Sequence, residues 1–257
     1  MRTFDAPGVE HAQLQLGSGT VTVVASDDDA VHGQVEGDGD AHEARVQVQT
    51  FGAELRVSVP PAAGGSSGET RIRLRVPAGT DLTLVSGSGD LTTDVRLGRV
   101  SARSGSGDLR LAATGSARLH TGSGDITVLA VDGEADVSSG SGDIRVDACG
   151  ADLSLRTASG DATIGRLRGS AEARLASGDF RLASTSGSVH VRTASGDISI
   201  GVAGELPAWL DLHSGSGDVD LALPPAGEPR PGDPYVSVHA RTGSGDIRVA
   251  RAREEHR

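Results

Sequence analysis

Along most of the chain, apolar and polar side chains alternate in short bursts. Leu109 and Leu111 flank a polar residue, as do Ile126 and Val128, Ile144 and Val146, Phe180 and Leu182, Ile198 and Ile200, and Ile247 and Val249. A second set of pairs has the same spacing: Leu82 and Leu84, Leu153 and Leu155, Val189 and Val191, Leu210 and Leu212. A period of two residues marks a strand whose alternate side chains point inward. No segment sustains a helical apolar period over the length of a helix. The pattern therefore predicts an all-β chain of many short strands. Between the two sets of pairs lies one small corner, Ser-Gly-Asp, met again and again.

The Asp of this corner falls at positions 90, 108, 125, 143, 161, 179, 197, 218 and 246, so successive intervals are 18, 17, 18, 18, 18, 18, 21 and 28 residues. Ser stands two residues before each Asp and Gly one before. A degenerate copy, with Thr for Asp, occurs at Gly17-Ser18-Gly19-Thr20. The opposite corner carries Gly115, Gly133, Gly150, Gly169 and Gly187. Such a period predicts a parallel β-helix, a β-solenoid with coils of about 18 residues, expected to be right-handed. A single coil buries too few aliphatic side chains to offset the ordering of its backbone, so coils must stack and share a core. Stacking sets like residues in columns about 4.8 Å apart. An antiparallel meander would leave unexplained why like corners match while alternate corners differ.

The first 76 residues are β-rich but less regular, and read as an N-terminal β cap or first sheet. Residues 77–225 are the regular coils, and 226–257 supply the last coil and a frayed tail, all in one continuous domain. Asp27-Asp28-Asp29 and the acidic stretch 36–40 read as solvated turns, and Pro60–Gly68 as a hairpin loop.

The columns carry the candidate chemistry. Carboxylates in file repel one another, so each needs compensation. Expected structural turns include Ser123-Gly124-Asp125, Ser141-Gly142-Asp143, Ser159-Gly160-Asp161 and Ser195-Gly196-Asp197. There Gly gives the bend, Asp accepts N–H groups of its own turn, and Ser bridges coils. A Ca²⁺ column on Asp108, Asp125, Asp143, Asp161, Asp179 and Asp197 is the weaker alternative, since one acid per coil offers few oxygen ligands. Five residues before the Asp, outward positions are mostly cationic: Arg103, His120, Arg156, Arg174, Arg192, His213 and Arg241. Arg156, Arg174 and Arg192 are thus candidates for binding an anionic partner, against the plainer reading of charge balance on a soluble face. The pattern breaks at Trp209, the only Trp, and at Pro224–Pro234, a Pro-rich loop before the only Tyr, Tyr235. Irregular segments on a rigid scaffold concentrate binding, although a coil-end cap is the plainer reading.

Composition narrows the classes. Net charge is −11, which argues against nucleic acid. With 2% aromatic residues, the core must be thin layers of Val, Ile, Leu and Ala. The single cysteine, Cys149, excludes an internal disulfide and reads as a small inward or turn residue. No secretory-length apolar run opens the sequence and no transmembrane segment appears, which favours a cytoplasmic protein without membrane insertion. Repeated Ser, His and Asp are structural rather than catalytic, and no cofactor motif is present.

Val76-Pro77-Ala78-Gly79, the iterated Ser-Gly-Asp-Ile/Leu and the closing stretch 236–252 resemble a bacterial β-strand-repeat family of unknown function whose members are called adhesins. The resemblance spans about residues 10–250. It implies a parallel β-helix-like solenoid, and a surface location by name, but brings no catalytic residues. The leading expectation is a non-enzymatic scaffold that engages a protein or glycan. Its rivals are a self-assembling, bactofilin-like cytoskeletal solenoid, associating through its ends, and a carbohydrate-active β-helix enzyme. The enzyme needs paired carboxylates in one cleft, not acids in file.

Overall fold

A computed structural model describes residues 1–37, 45–60, 69–224 and 235–252. The acidic turn at 38–40, the loop at 61–68, the Pro-rich segment 225–234 and the tail 253–257 lie outside these residues. The chain forms two compact units, Met1–Ala130 and Val131–Arg257. The division falls within the repeats, where nothing in the columns marks it.

The first unit contains β1 (Arg2–Pro7), β2 (His11–Ala25), β3 (Ala30–Gly37), β4 (Gln47–Phe51), β5 (Glu54–Ser58), β6 (Thr70–Val76), β7 (Asp81–Ser106), β8 (Leu109–Ser123) and β9 (Ile126–Val131). β2 bends through the degenerate Ser18-Gly19 corner and is a coil in its own right. It pairs in parallel with β7 on one side and with β5 and β6 on the other. Antiparallel strands cover that coil: β4 on β5, β3 on β6, and β1 on β3. The irregular N-terminal region is thus two stacked coils under an antiparallel cover. The cover meets the need to blunt an open strand edge.

The second unit contains β10 (Ala135–Ser141), β11 (Ile144–Cys149), β12 (Leu153–Ser159), β13 (Ala162–Leu167), β14 (Ala171–Ser177), β15 (Phe180–Thr185), β16 (Val189–Ser195), β17 (Ile198–Val202), β18 (Ala208–Ser214), β19 (Val219–Ala222), β20 (Val236–Ser244) and β21 (Ile247–Arg251). Each coil has one strand on either side of its Ser-Gly-Asp corner. Pairing is parallel and in register, Ala135 to Leu153 to Ala171 to Val189 on one side and Ile144 to Ala162 to Phe180 to Ile198 on the other. The fold is an all-β parallel solenoid.

The coil order departs from the sequence at one place. Val189 pairs with Val238, and Val238 pairs with Leu210. The C-terminal coil, β20 and β21, therefore lies between β16/β17 and β18/β19. Residues 236–251 are the last coil in sequence but not in space, which corrects the expected order. The columns stay matched across the exchange. His190, Arg192 and Thr193 of β16 face His239, Arg241 and Thr242 of β20. The coil left at the edge has its inward residues bared, with Val219 43% and Leu221 52% exposed. Their counterparts Ile247 and Val249 are fully buried.

Alternation in sequence becomes alternation in burial. β14 and β16 run buried, exposed, buried, exposed. Phe180 is the bulkiest of the fully buried side chains. Its coil carries Ala171 and Ala173 on the opposite strand, and Ala162 precedes it in its own column. One large ring occupies the room left by small neighbours.

Candidate functional site

The corner explains its own sequence. Gly142 N–H donates to Ser159 O at 3.0 Å, and Ile144 N–H donates to Asp161 O at 2.9 Å. Between them the Gly160–Asp161 peptide is turned out of the ladder. Its N–H donates to Asp143 Oδ1 of the neighbouring coil at 2.8 Å. The same bond joins Asp179 to Asp161, Asp197 to Asp179, Asp246 to Asp197 and Asp218 to Asp246, at 2.8–2.9 Å. In the first unit it joins Asp108 to Asp90 and Asp125 to Asp108 at 2.9 Å. These carboxylates serve the next coil's N–H rather than the N–H groups of their own turn. The Ser column links coils at Ser244 and Ser195, whose hydroxyls are 3.4 Å apart.

The carbonyl of the turned peptide points inward, where a hydroxyl column meets it. Ser104 Oγ donates to Gly89 O at 3.2 Å, Thr121 to Gly107 O at 3.2 Å, Thr242 to Gly196 O at 3.0 Å and Ser214 to Gly245 O at 2.8 Å. Sequence reasoning missed this column. Its signal was present as Ser or Thr four residues before every Asp from 90 to 246, except where Leu175 stands. Removing one rung by Asp161→Ala leaves Asp179 N–H without its charged acceptor. Because the site is exposed and water replaces the carboxylate, the expected loss is about 1 kcal/mol. Urea denaturation of this variant against Asp161→Asn measures it.

Asp90, Asp108, Asp143, Asp161, Asp179, Asp197 and Asp246 each spend Oδ1 on a backbone N–H, so a cation column would have to compete with the ladder for the same oxygens. Among the described residues no group of three or more His, Cys, Asp or Glu side chains converges to hold a metal ion.

On the outer face of the second unit, Arg156, Arg174, Arg192 and Arg241 stand in register, one per coil, with His213 after them. Three of the arginines have acids: Arg156 with Asp136 at 3.4 Å, Arg174 with Glu172 at 2.6 Å, and Arg241 with Asp211 at 3.3 Å. Such exposed pairs each contribute little to stability. Trp209 is half exposed and leans on His239, ring centroids 4.8 Å apart. His239 in turn stacks flat on His190, centroids 4.1 Å apart and 14° between planes. His239 Nδ1 is 3.3 Å from Asp211 Oδ2. The structure thus joins Trp209 to the arginine column through two histidines that sequence reasoning passed over. Tyr235 is exposed beside β20 and shares no ring contact with Trp209.

The first unit has a hollow of about 550 Å³, lined by Phe4, Asp5, Asp27, His32, Arg73 and Arg75 among others. His32 bridges its rim: Nδ1 lies 2.6 Å from Asp5 and Nε2 2.9 Å from Asp28. Hydrogen bonds donated to Asp5, and then to Asp28, raise the imidazole's pKa above its ordinary 6.5. Those from His32, Ala30 and Ser26 hold Asp28 down at about 2. With both ring nitrogens donating to carboxylates, the imidazolium has no lone pair for a substrate proton or a metal. The clamp ties β1 to β3. His32 stabilises fully below pH 6.5, and its contribution is lost as pH rises through the raised value; the Asp28 contribution is present above pH 3.8 and is lost as pH falls through about 2. The melting-temperature gap between the native chain and His32→Gln is therefore expected to be widest in mildly acidic buffer and to shrink in alkaline buffer.

The stacked-coil fold has relatives. The Toastrack DUF4097 family model covers residues 9–250. The chain belongs to this family. Among solved structures, a "putative lipid binding protein" from Parabacteroides distasonis is similar to it at 16% identity, with 96% of each chain covered and a TM-score of 0.52. A "putative adhesin" from the same organism is similar at 12% identity, with 96% of this chain and 95% of that one covered and a TM-score of 0.51. At these identities the likeness is one of fold. No curated protein matches the chain in sequence.

Two residues of this Toastrack chain complete the picture. Cys149 is an inward residue of the second corner, in one column with Leu167 and Thr185. Burial raises its thiol pKa, so the thiolate that reacts is disfavoured. Asp218 ends the ladder on the edge coil, where no further corner among the described residues donates to its carboxylate. Among the described residues of the Toastrack chain, no helix is long and apolar enough to cross a membrane.

Proposed function

We propose that this Toastrack chain is a non-enzymatic interaction module of the adhesin kind, which engages a protein or glycan through the outer face of its second unit. One observation carries the reading: the in-register column of Arg156, Arg174, Arg192 and Arg241 shares an outer face with the exposed Trp209, on a scaffold whose repeated acids are spent on corners. The solved relative called an adhesin supports it at the level of name and fold. A lipid guest inside the coils finds little support, because the inward columns are closed by their own side chains, such as Val189, Ile198 and Ile200. The test is binding of the whole chain to glycan and protein arrays, with Trp209→Ala as comparison. Ligands that bind the native chain and lose binding in the variant support the reading. Turnover of a polysaccharide by the chain sinks it.

A second reading, self-association, is favoured by the edge coil. Among the described residues β18 and β19 each pair on one side only, and Val219 and Leu221 are bared there. Light scattering across a wide concentration range decides it. Growth in mass that Leu221→Glu abolishes is expected on this reading, and a constant monomer mass removes it.

A further inference from the structure

Along the arginine column of the second unit, from Arg156 to Arg241, the pairing with acids is interrupted at Arg192. Along the column beside the arginines stand Glu172, then His190, then His239, then Asp211. Two successive coils thus carry imidazoles where their neighbours carry acids. Arg192 lies within this gap and has no ion pair or side-chain hydrogen bond among the described residues. The coils on either side bring Arg174 and Arg241 beside it, each already held by an acid. The same two histidines, with Trp209 tilted against His239, form a shelf of aromatic surface that crosses three coils.

We propose that Arg192 and the shelf of Trp209, His239 and His190 bind a carboxylated sugar of an acidic polysaccharide. This rests on the reading of the chain as an interaction module. A guanidinium is planar and meets a carboxylate with two parallel N–H bonds. A hexose ring presents a face of C–H bonds that lies flat on aromatic surface, where Trp is the largest platform. Coils repeat at about 4.8 Å, close to the length of one sugar in an extended chain, so with one uronate on Arg192 the sugars beside it lie over the adjoining coils. An acidic peptide would use the arginine and leave the shelf idle. The net charge of −11 works against long-range attraction of any polyanion, so the complex depends on these short-range contacts.

The shelf also couples binding to protons. The charged groups facing His190 are Glu172 and Arg174 from β14, Arg192 from its own strand, His239 and Arg241 from β20, and Asp211 from β18. Burial first, then His239 and Arg192, hold its pKa below the ordinary value. A carboxylate seated on Arg192 offsets the cationic neighbours and favours the protonated ring. Binding then takes up a proton and tightens as pH falls.

The experiment is calorimetric titration of the full chain with oligogalacturonate, beside a neutral glucan of equal length and poly-glutamate. Oligogalacturonate is expected to bind, and the neutral glucan at least about tenfold more weakly. Arg192→Gln and Trp209→Ala are each expected to cost about tenfold, with the melting temperature unchanged because both side chains are exposed. Affinity is expected to rise from about pH 7.5 to about pH 5.5, and His190→Gln to flatten that rise. Equal binding of poly-glutamate, indifferent to Trp209→Ala, overturns the proposal in favour of an acidic peptide. Failure of oligogalacturonate to bind, while the arrays find another ligand, overturns the proposal and leaves the module reading standing. Silence in both defeats both.

Discussion

Gly178→Ala is expected to destabilise the chain by roughly 2–6 kcal/mol, far more than a methyl group normally costs. Two effects add. Gly178 sits at φ +133°, a conformation an L side chain rarely takes. A Cβ built there would lie 2.1 Å from the carbonyl oxygen of Gly160 in the adjoining coil. That oxygen belongs to backbone, so relief requires the two coils to part at the corner. Parting strains the bonds from Gly178 N–H to Ser195 O and from Asp179 N–H to Asp161. Neighbouring corners repeat the contact, with Gly196 at 2.1 Å and Gly245 at 2.2 Å from the glycine oxygens next to them. Gly204 separates the two effects, since it has φ +56° but open space around its Cβ position. Gly204→Ala should lose only about 1 kcal/mol, the cost of the backbone conformation alone. Urea denaturation of both variants measures the difference. Equal losses would mean that the close approach between corners does not dictate the glycine.

That contact also shows how far the sequence reaches. Period-two alternation located the strands, since in a solenoid each inward position is inward in every coil. The corner was recognisable as a corner because Ser, Gly and Asp recur at one phase. The partner of the Asp was not recognisable, because a carboxylate can bond within its turn or across to the next coil with the same residue spacing. The turned peptide decides between them, and its inward half is visible only as the Ser/Thr column. The order of coils was likewise hidden. The intervals of 21 and 28 residues announced irregularity after Asp197, but not that β20 would slip in beside β16. Matching columns do not rank neighbours, since each coil fits almost any other. Arg156, Arg174 and Arg192 were legible as one outward column. The His190–His239–Trp209 stack was not, because it needs that exchanged order: in sequence order Trp209 would stand beside β16, not beside His239.

The second large effect lies in the core. Phe180→Ala is expected to cost about 3–5 kcal/mol, the range for emptying a buried aromatic site. Phe180 is 1% exposed and stands between Ala162 and Ile198 in its column, with Ala171 and Ala173 on the other strand of its coil. Alanine at 180 would leave that coil with three alanines at its central inward positions, and parallel ladders on both sides hold the strands apart. The cavity therefore cannot close by collapse, which places the loss at the high end of the range. Phe180→Leu, which retains most of the volume, should lose no more than about 1.5 kcal/mol. Adding Ala173→Leu to Phe180→Ala tests whether volume is shared across the coil. Partial recovery of stability is expected if the ring fills the space above that alanine. A double variant no better than Phe180→Ala would show instead that each side of the coil packs only along its own column, with the two strands independent. Because each coil leans on its neighbours, a loss of this size in a middle coil is felt by the whole stack rather than confined to one turn.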